Sequence, residues 1–120
     1  MFGKIVFSLT LLLGLAGAAR AELLPLPEPG ENLWGLGATG IMCYQEPCPR
    51  YGVFRIYQDG RFELPLSRRN QSQPPPLRAD ERDRARIERA FETGGCVMAE
   101  GHFEGRTLVV RRVWGDCHDL

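Results

Sequence analysis

Apolar positions along this chain fall into three patterns: one unbroken run at the start, several short stretches that alternate with polar residues, and one stretch with helical spacing. From Tyr51 to Gln58, the residues Tyr51, Val53, Arg55 and Tyr57 alternate with Gly52, Phe54, Ile56 and Gln58. This is the two-residue period of a half-buried strand. Asp59-Gly60 follows at once, a pair that tolerates the backbone angles of a tight primed turn. Arg61 to Leu66 then predicts the returning strand, with Phe62 and Leu64 on one face and Pro65 limiting its length. A second hairpin is predicted from Cys96 to Phe103 and Arg106 to Trp114, turning around Glu104-Gly105. Pairing Phe103 with Arg106 sets Val97, Ala99, Gly101 and Phe103 on the same face as Leu108 and Val110. Upstream, Leu33 to Cys43 mixes Trp34, Leu36, Ile41 and Met42 with Gly35, Gly37 and Gly40, which predicts a strongly bent first strand closely approached by other backbone.

Helical spacing occurs from Asp80 to Thr93. Asp80 can cap, Glu81 and Asp83 suit the positive first turn, and Gly94-Gly95 supplies the stop. The predicted apolar stripe is narrow: Ile87, Ala90 and Phe91, supported by Ala85. Arg82, Arg84, Arg86 and Arg89 are interleaved with acids at four-residue spacings such as Asp80 to Arg84, which reads as a solvated face. Between the elements, Glu46-Pro47-Cys48-Pro49-Arg50 must be a loop because its prolines lack ladder donors. Ser67 to Pro76 ends in three prolines and reads as a stiff surface spacer leading into the helix.

The order is three strands, one helix, two strands. It predicts an α+β chain, mostly antiparallel β, as a small OB-like five-stranded barrel or sheet (β-β-β-α-β-β) with one helix.

The unbroken run, Ile5 to Ala16, follows Lys4 and precedes Ala19-Arg20-Ala21. These are the parts of an export signal, with cleavage expected after Ala21. The run is shorter than the ~20 residues a bilayer needs, and Arg20 closes it. Leu15-Ala16-Gly17-Ala18 lacks the cysteine that a lipoprotein site requires, so no stable membrane anchor is expected after cleavage. The predicted organisation is a signal peptide at 1–21, a proline-rich extended leader at 22–32 acting as a tether, and one small disulfide-stabilised domain at 33–120. Removing 21 of the 120 residues leaves 99, enough for a modest core.

Loss of Lys4 and Arg20 with the signal takes the 15 basic residues to 13 against 15 acidic ones, a formal charge of −2. That balance argues against nucleic acid as a partner. All four cysteines, Cys43, Cys48, Cys96 and Cys117, lie beyond the signal, and an even number in an exported small domain indicates disulfides. Three pairings exist; Cys43 with Cys48 and Cys96 with Cys117 are favoured as a loop clasp and a hairpin clasp. The barrel order would gather all four at one end. The alternative is a metal-binding or redox protein using clustered cysteines, with His118 as a further candidate. Cys43 and Cys48 are separated by four residues rather than two, no second close pair exists, oxidation competes outside the cytoplasm, and there is no Cys-x-x-Cys motif.

No catalytic constellation emerges. Ser67 and Ser72 lie in the proline-rich spacer without a nucleophile-elbow pattern, and no phosphate-binding glycine loop or zinc-protease motif is present. His102 flanks the second turn opposite Phe103 and reads as a surface residue, and His118 lies near the end of the chain. Glu100 with His102, or Asp116 with His118, has the composition of a metal or proton-shuttle pair, a spacing that arises often by chance. Glu46 and Asp59 have simple loop and turn roles. No cofactor and no metal are expected, and the chain reads as a noncatalytic binding or structural module. The candidate recognition loop is Tyr44, Gln45, Glu46 and Pro47, held between Cys43 and Cys48. The partner would be a protein or another component of the envelope.

Gly40-Ile41-Met42-Cys43, Cys48-Pro49-Arg50-Tyr51, Phe54-Arg55-Ile56 and Asp59-Gly60-Arg61-Phe62 together resemble a family of bacterial exported domains of unknown function. Its signature is a cysteine pair, a proline after the second cysteine, a tyrosine two residues further on, and a strand ending in Asp-Gly. The cysteine spacing is looser here. The resemblance implies residence in the cell envelope and transfers no active site.

Overall fold

The computed structural model describes residues 26–119; the expected export signal and the first residues of the leader lie outside this range. Five strands form one open sheet: β1 (Asn32–Ala38), β2 (Tyr51–Ile56), β3 (Leu77–Arg78), β4 (Cys96–Glu104) and β5 (Thr107–Asp116), in the order β2-β1-β4-β5-β3. Every pairing is antiparallel except that of β3 with β5. One helix, α1 (Glu81–Thr93), packs on one face, and a 3-10 turn (Cys117–Asp119) follows β5. The α+β, mostly antiparallel sheet is as expected, but it does not close into a barrel.

Closure fails because the expected third strand does not form. Arg61 to Leu66 returns beside β2 with a single bridge, Ile56 to Phe62. Glu63 N–H donates to Arg55 O and Leu66 N–H to Val53 O, so the register slips by one residue between them. Pro65 has no N–H to repair the ladder. The turn is also wider than Asp59-Gly60 alone: Tyr57 N–H bonds Arg61 O, which places Gln58, Asp59 and Gly60 in the loop. The third strand is instead Leu77–Arg78 at the opposite edge. The spacer's prolines deliver it: they cannot donate, but Pro76 O accepts from Leu108 N–H at 2.9 Å and starts the parallel pairing.

Strand limits differ elsewhere for local reasons. β1 stops at Ala38 rather than Cys43; near that end Gly37 must be glycine, since it has φ +124° and a side chain there would strike the Gly95 carbonyl. β2 ends at Ile56, where the turn begins. In the second hairpin the turn is Gly105-Arg106, so Phe103 faces Leu108 rather than Arg106, a two-residue shift that keeps the same residues on one face. The helix forms as its sequence predicts. Asp80 Oδ1 accepts from Asp83 N–H at 2.8 Å, and Gly94, left-handed at φ +76°, donates to Ala90 O. Ile87, Ala90 and Phe91 are buried, but Ala85 is exposed and does not support the stripe.

The sheet separates two clusters. On the helix side, Ile87, Ala90 and Phe91 meet Trp34, Leu36, Val53, Val97, Ala99, Leu108 and Val110. Trp34 Nε1 donates to Gly101 O at 2.9 Å and its ring meets Phe103 edge-on. On the other side, Leu33, Phe54, Ile56, Cys96 and Met98 cluster with Trp114 and Cys117, and the Phe54 ring lies so close over Gly35 that no side chain would fit there. Burying both faces is what lets so short a chain hold a core.

Candidate functional site

The cysteines pair as Cys43–Cys48 and Cys96–Cys117, with Cα separations of 5.7 and 5.3 Å, the pairing favoured from the sequence. The β1–β2 and β1–β4 registers, Ala38 opposite Tyr51 and Gly37 opposite Cys96, place both clasps at the same end of the sheet. All four sulfurs are in disulfides, so none is a thiolate ligand in this form. Two disulfides point to an oxidising, extracellular environment. Among the described residues, no helix is long and apolar enough to cross a membrane.

The Cys43–Cys48 loop is built from its base outward. Thr39 N–H bonds Arg50 O at 2.9 Å and Thr39 Oγ1 donates to Pro49 O at 2.6 Å, which carries the β1–β2 pairing past the strand ends. Cys48 is buried and anchors the ring to the domain. Glu46 turns inward along the loop: one carboxylate oxygen accepts from Cys48 N–H at 2.9 Å and the other pairs with Arg50 at 2.9 Å. The loop role expected of Glu46 is therefore the one observed. Tyr44, Gln45 and Pro47 are exposed; Tyr44 is completely so, and Met42 is 95% exposed.

Beside the loop, Thr39 and Ile41 border a groove of about 220 Å³ with Phe54, Phe62, Glu63, Leu64 and Pro65. Among the described residues, the exposed large apolar side chains apart from Leu26 are Met42, Tyr44, Phe62, Leu64 and Leu66. They belong to the two segments that meet at this groove. The sequence singled out the loop but not its neighbour, because Phe62 and Leu64 read as one face of a strand that does not form. Asp59 caps the adjoining turn by accepting from Arg61 N–H, and that bond, with the Arg61 guanidinium, holds its carboxyl below the usual range.

A second polar assembly was not legible in the sequence. Glu100 is fully buried on the helix-free face, 3.4 Å from both Arg111 and Arg112. Strict alternation would send two adjacent arginines to opposite faces. Two bulges in β5 change this, with Trp114 and Arg111 as the extra residues, so both guanidinium groups reach one carboxylate and Arg112 also stacks on Trp114 at 4.6 Å.

His102, expected at the surface, is half-buried on the face opposite Phe103. Its Nδ1 lies 2.9 Å from both carboxylate oxygens of Glu31, and its Nε2 lies 3.2 Å from Glu104, which in turn pairs with Arg78 at 3.1 Å. The hydrogen bond to Glu31, and then that to Glu104, raise the His102 pKa above its ordinary value; the same bond to His102, with Arg78, lowers that of Glu104. Glu100 and His102 thus have different partners and do not act as a pair. Asp116 and His118 border a groove of about 310 Å³ with Arg86 and Arg89, and Asp116 faces Arg86 at 4.0 Å. Among the described residues, no group of three or more His, Cys, Asp or Glu side chains is disposed to hold a metal ion. No family model, no curated protein and no solved structure matches this chain, so a functional reading rests on its own geometry.

Proposed function

We propose that this protein is a noncatalytic binding module of the bacterial envelope, periplasmic or secreted, that recognises a protein partner through the Cys43–Cys48 loop. The observation that carries the reading is Tyr44: an aromatic side chain fully exposed on a ring that a disulfide, a buried cysteine and the Glu46 bonds hold in shape. Exposing a large aromatic ring has no folding benefit, whereas aromatic anchors dominate protein interfaces. A preformed loop also avoids the ordering cost of a flexible one. The apolar groove alongside, with Phe62 and Leu64 on its rim, gives a partner surface to bury. Ser67 Oγ accepts from Arg69 N–H within the spacer, a local turn bond that supports a structural role for this serine.

The test begins with the cleaved protein as bait in an envelope extract, followed by titration of the purified captured protein. Tyr44→Ala with Gln45→Ala should weaken binding by about tenfold or more, equivalent to ~1.4 kcal/mol. Arg82→Ala, on the exposed side of the helix, should leave it unchanged. Equal affinity of the loop variant and the parent would remove the reading.

A further inference from the structure

We propose that residues 26–31 form a pH-releasable strap, pinned to the helix-free face of the sheet through Glu31 on His102 and Glu28 on Arg111. The side-chain bonds that hold it to the sheet are ionic. Leu26 is exposed, and with half-buried Pro27 it borders a groove of about 200 Å³ beside Leu33 and Ile56. The Glu28–Arg111 pair, at 3.4 Å, is half exposed on both sides and adds little by itself. Glu31 is different: its side chain is 14% exposed and both its oxygens face the His102 ring. Its position is set by the ladder, since Asn32 lies opposite Gly101 and the preceding residue therefore meets His102.

The chemistry of this contact depends on the charge of the ring. His102 has a carboxylate at each nitrogen, and only an imidazolium can donate to both. The groups around it are Glu28 and Glu31 from the strap, Glu100 and Glu104 from β4, Arg111 and Arg112 from β5, and Arg78 from β3, the last acting through Glu104. Four carboxylates thus face three guanidinium groups, and protonated His102 is the cation that balances them. When the ring loses its proton it keeps a single N–H, so the Glu31 contact falls from a charge-assisted ion pair to one hydrogen bond from a neutral donor, while Glu104 keeps Arg78. Glu31 has no second cation among the described residues, and a largely buried carboxylate without a counter-charge is better solvated outside.

The strap is therefore closed while His102 is protonated and opens as pH rises through its pKa, which strap contact itself raises. By linkage, the opening equilibrium changes between low and high pH by ten raised to the difference in His102 pKa between closed and open forms. Opening frees about six residues, adding up to roughly 20 Å to the reach of the chain that precedes the sheet. This device is independent of recognition by the Cys43–Cys48 loop.

Nuclear magnetic resonance on the cleaved protein tests it directly. The His102 ring is titrated while backbone ¹⁵N relaxation is followed at Glu28, Gly30 and Glu31. The order parameters of these amides should fall from rigid values toward less than about 0.6 over the His102 titration. Glu31→Gln should leave them mobile at every pH and lower the His102 pKa. Glu104→Gln should also lower the pKa but keep the strap, moving its release to lower pH. Amides that stay rigid through the titration would overturn the proposal, as would a Glu31→Gln variant in which His102 titrates as in the parent.

Discussion

The two disulfides lie at the same end of the sheet, yet they close very different loops. Cys43 and Cys48 are separated by 5 positions and Cys96 and Cys117 by 21. The short clasp stands outside the core, with Cys48 buried and the ring beyond it in solvent. The long one ties the start of β4 to the turn after β5, and its sulfurs pack with Met98 and Trp114. In the chain-entropy account the long loop contributes about 3.4 kcal/mol and the short one about 2. The lesson is one of placement: the long clasp restrains the hairpin that carries half the sheet, while the short clasp shapes a surface.

The strongest way to break this comparison is to open the long clasp. Cys96→Ser with Cys117→Ser should lose about 2 to 4 kcal/mol in urea melts, a large part of the margin for a domain of this size. Cys43→Ser with Cys48→Ser should lose about 1 kcal/mol less, with faster amide exchange confined to Tyr44–Glu46. Equal losses, or a larger loss for the short loop, would mean that the clasps have been ranked wrongly.

A smaller effect sharpens the comparison by testing independence. His102 lies six positions along β4 from Cys96, about 20 Å at strand rise. Its raised pKa gives a stabilising contribution fully present below the unfolded value of 6.5 and lost as pH rises through the folded pKa. Stability should therefore decline with the same pH dependence in the parent and in both double mutants. A changed slope in either mutant would show that clasp and strap are coupled. The smallest effect is expected from Tyr44→Ala, whose melt should stay within about 0.5 kcal/mol of the parent because the ring touches so little. A greater loss would give that ring a structural role.

The residues that could be read in advance are those whose structure is set by near neighbours. Asp80 and Gly94 delimit α1 because capping involves groups within four positions. Glu46 and Asp59 act where they were expected because each bonds an N–H two residues on. The clasped loop was legible for the same reason: two close cysteines and two prolines leave the intervening side chains few places but solvent.

What tertiary structure alone decided involves partners far apart in the chain. The parallel pairing of Leu77–Arg78 with β5 depends on where the triple proline delivers the backbone, and no period in two residues signals it. Arg61 to Leu66 alternates like a strand, but alternation describes faces and is silent on whether a ladder can be completed past Pro65. Glu31 and His102 are 71 positions apart and meet because β1 lies beside β4. Glu100 is held by two adjacent arginines only because bulges turn both to one face. Hydrophobic period, caps and turns are short-range physics that a sequence carries openly; register, edge pairing and buried charge balance are settled when distant strands pack.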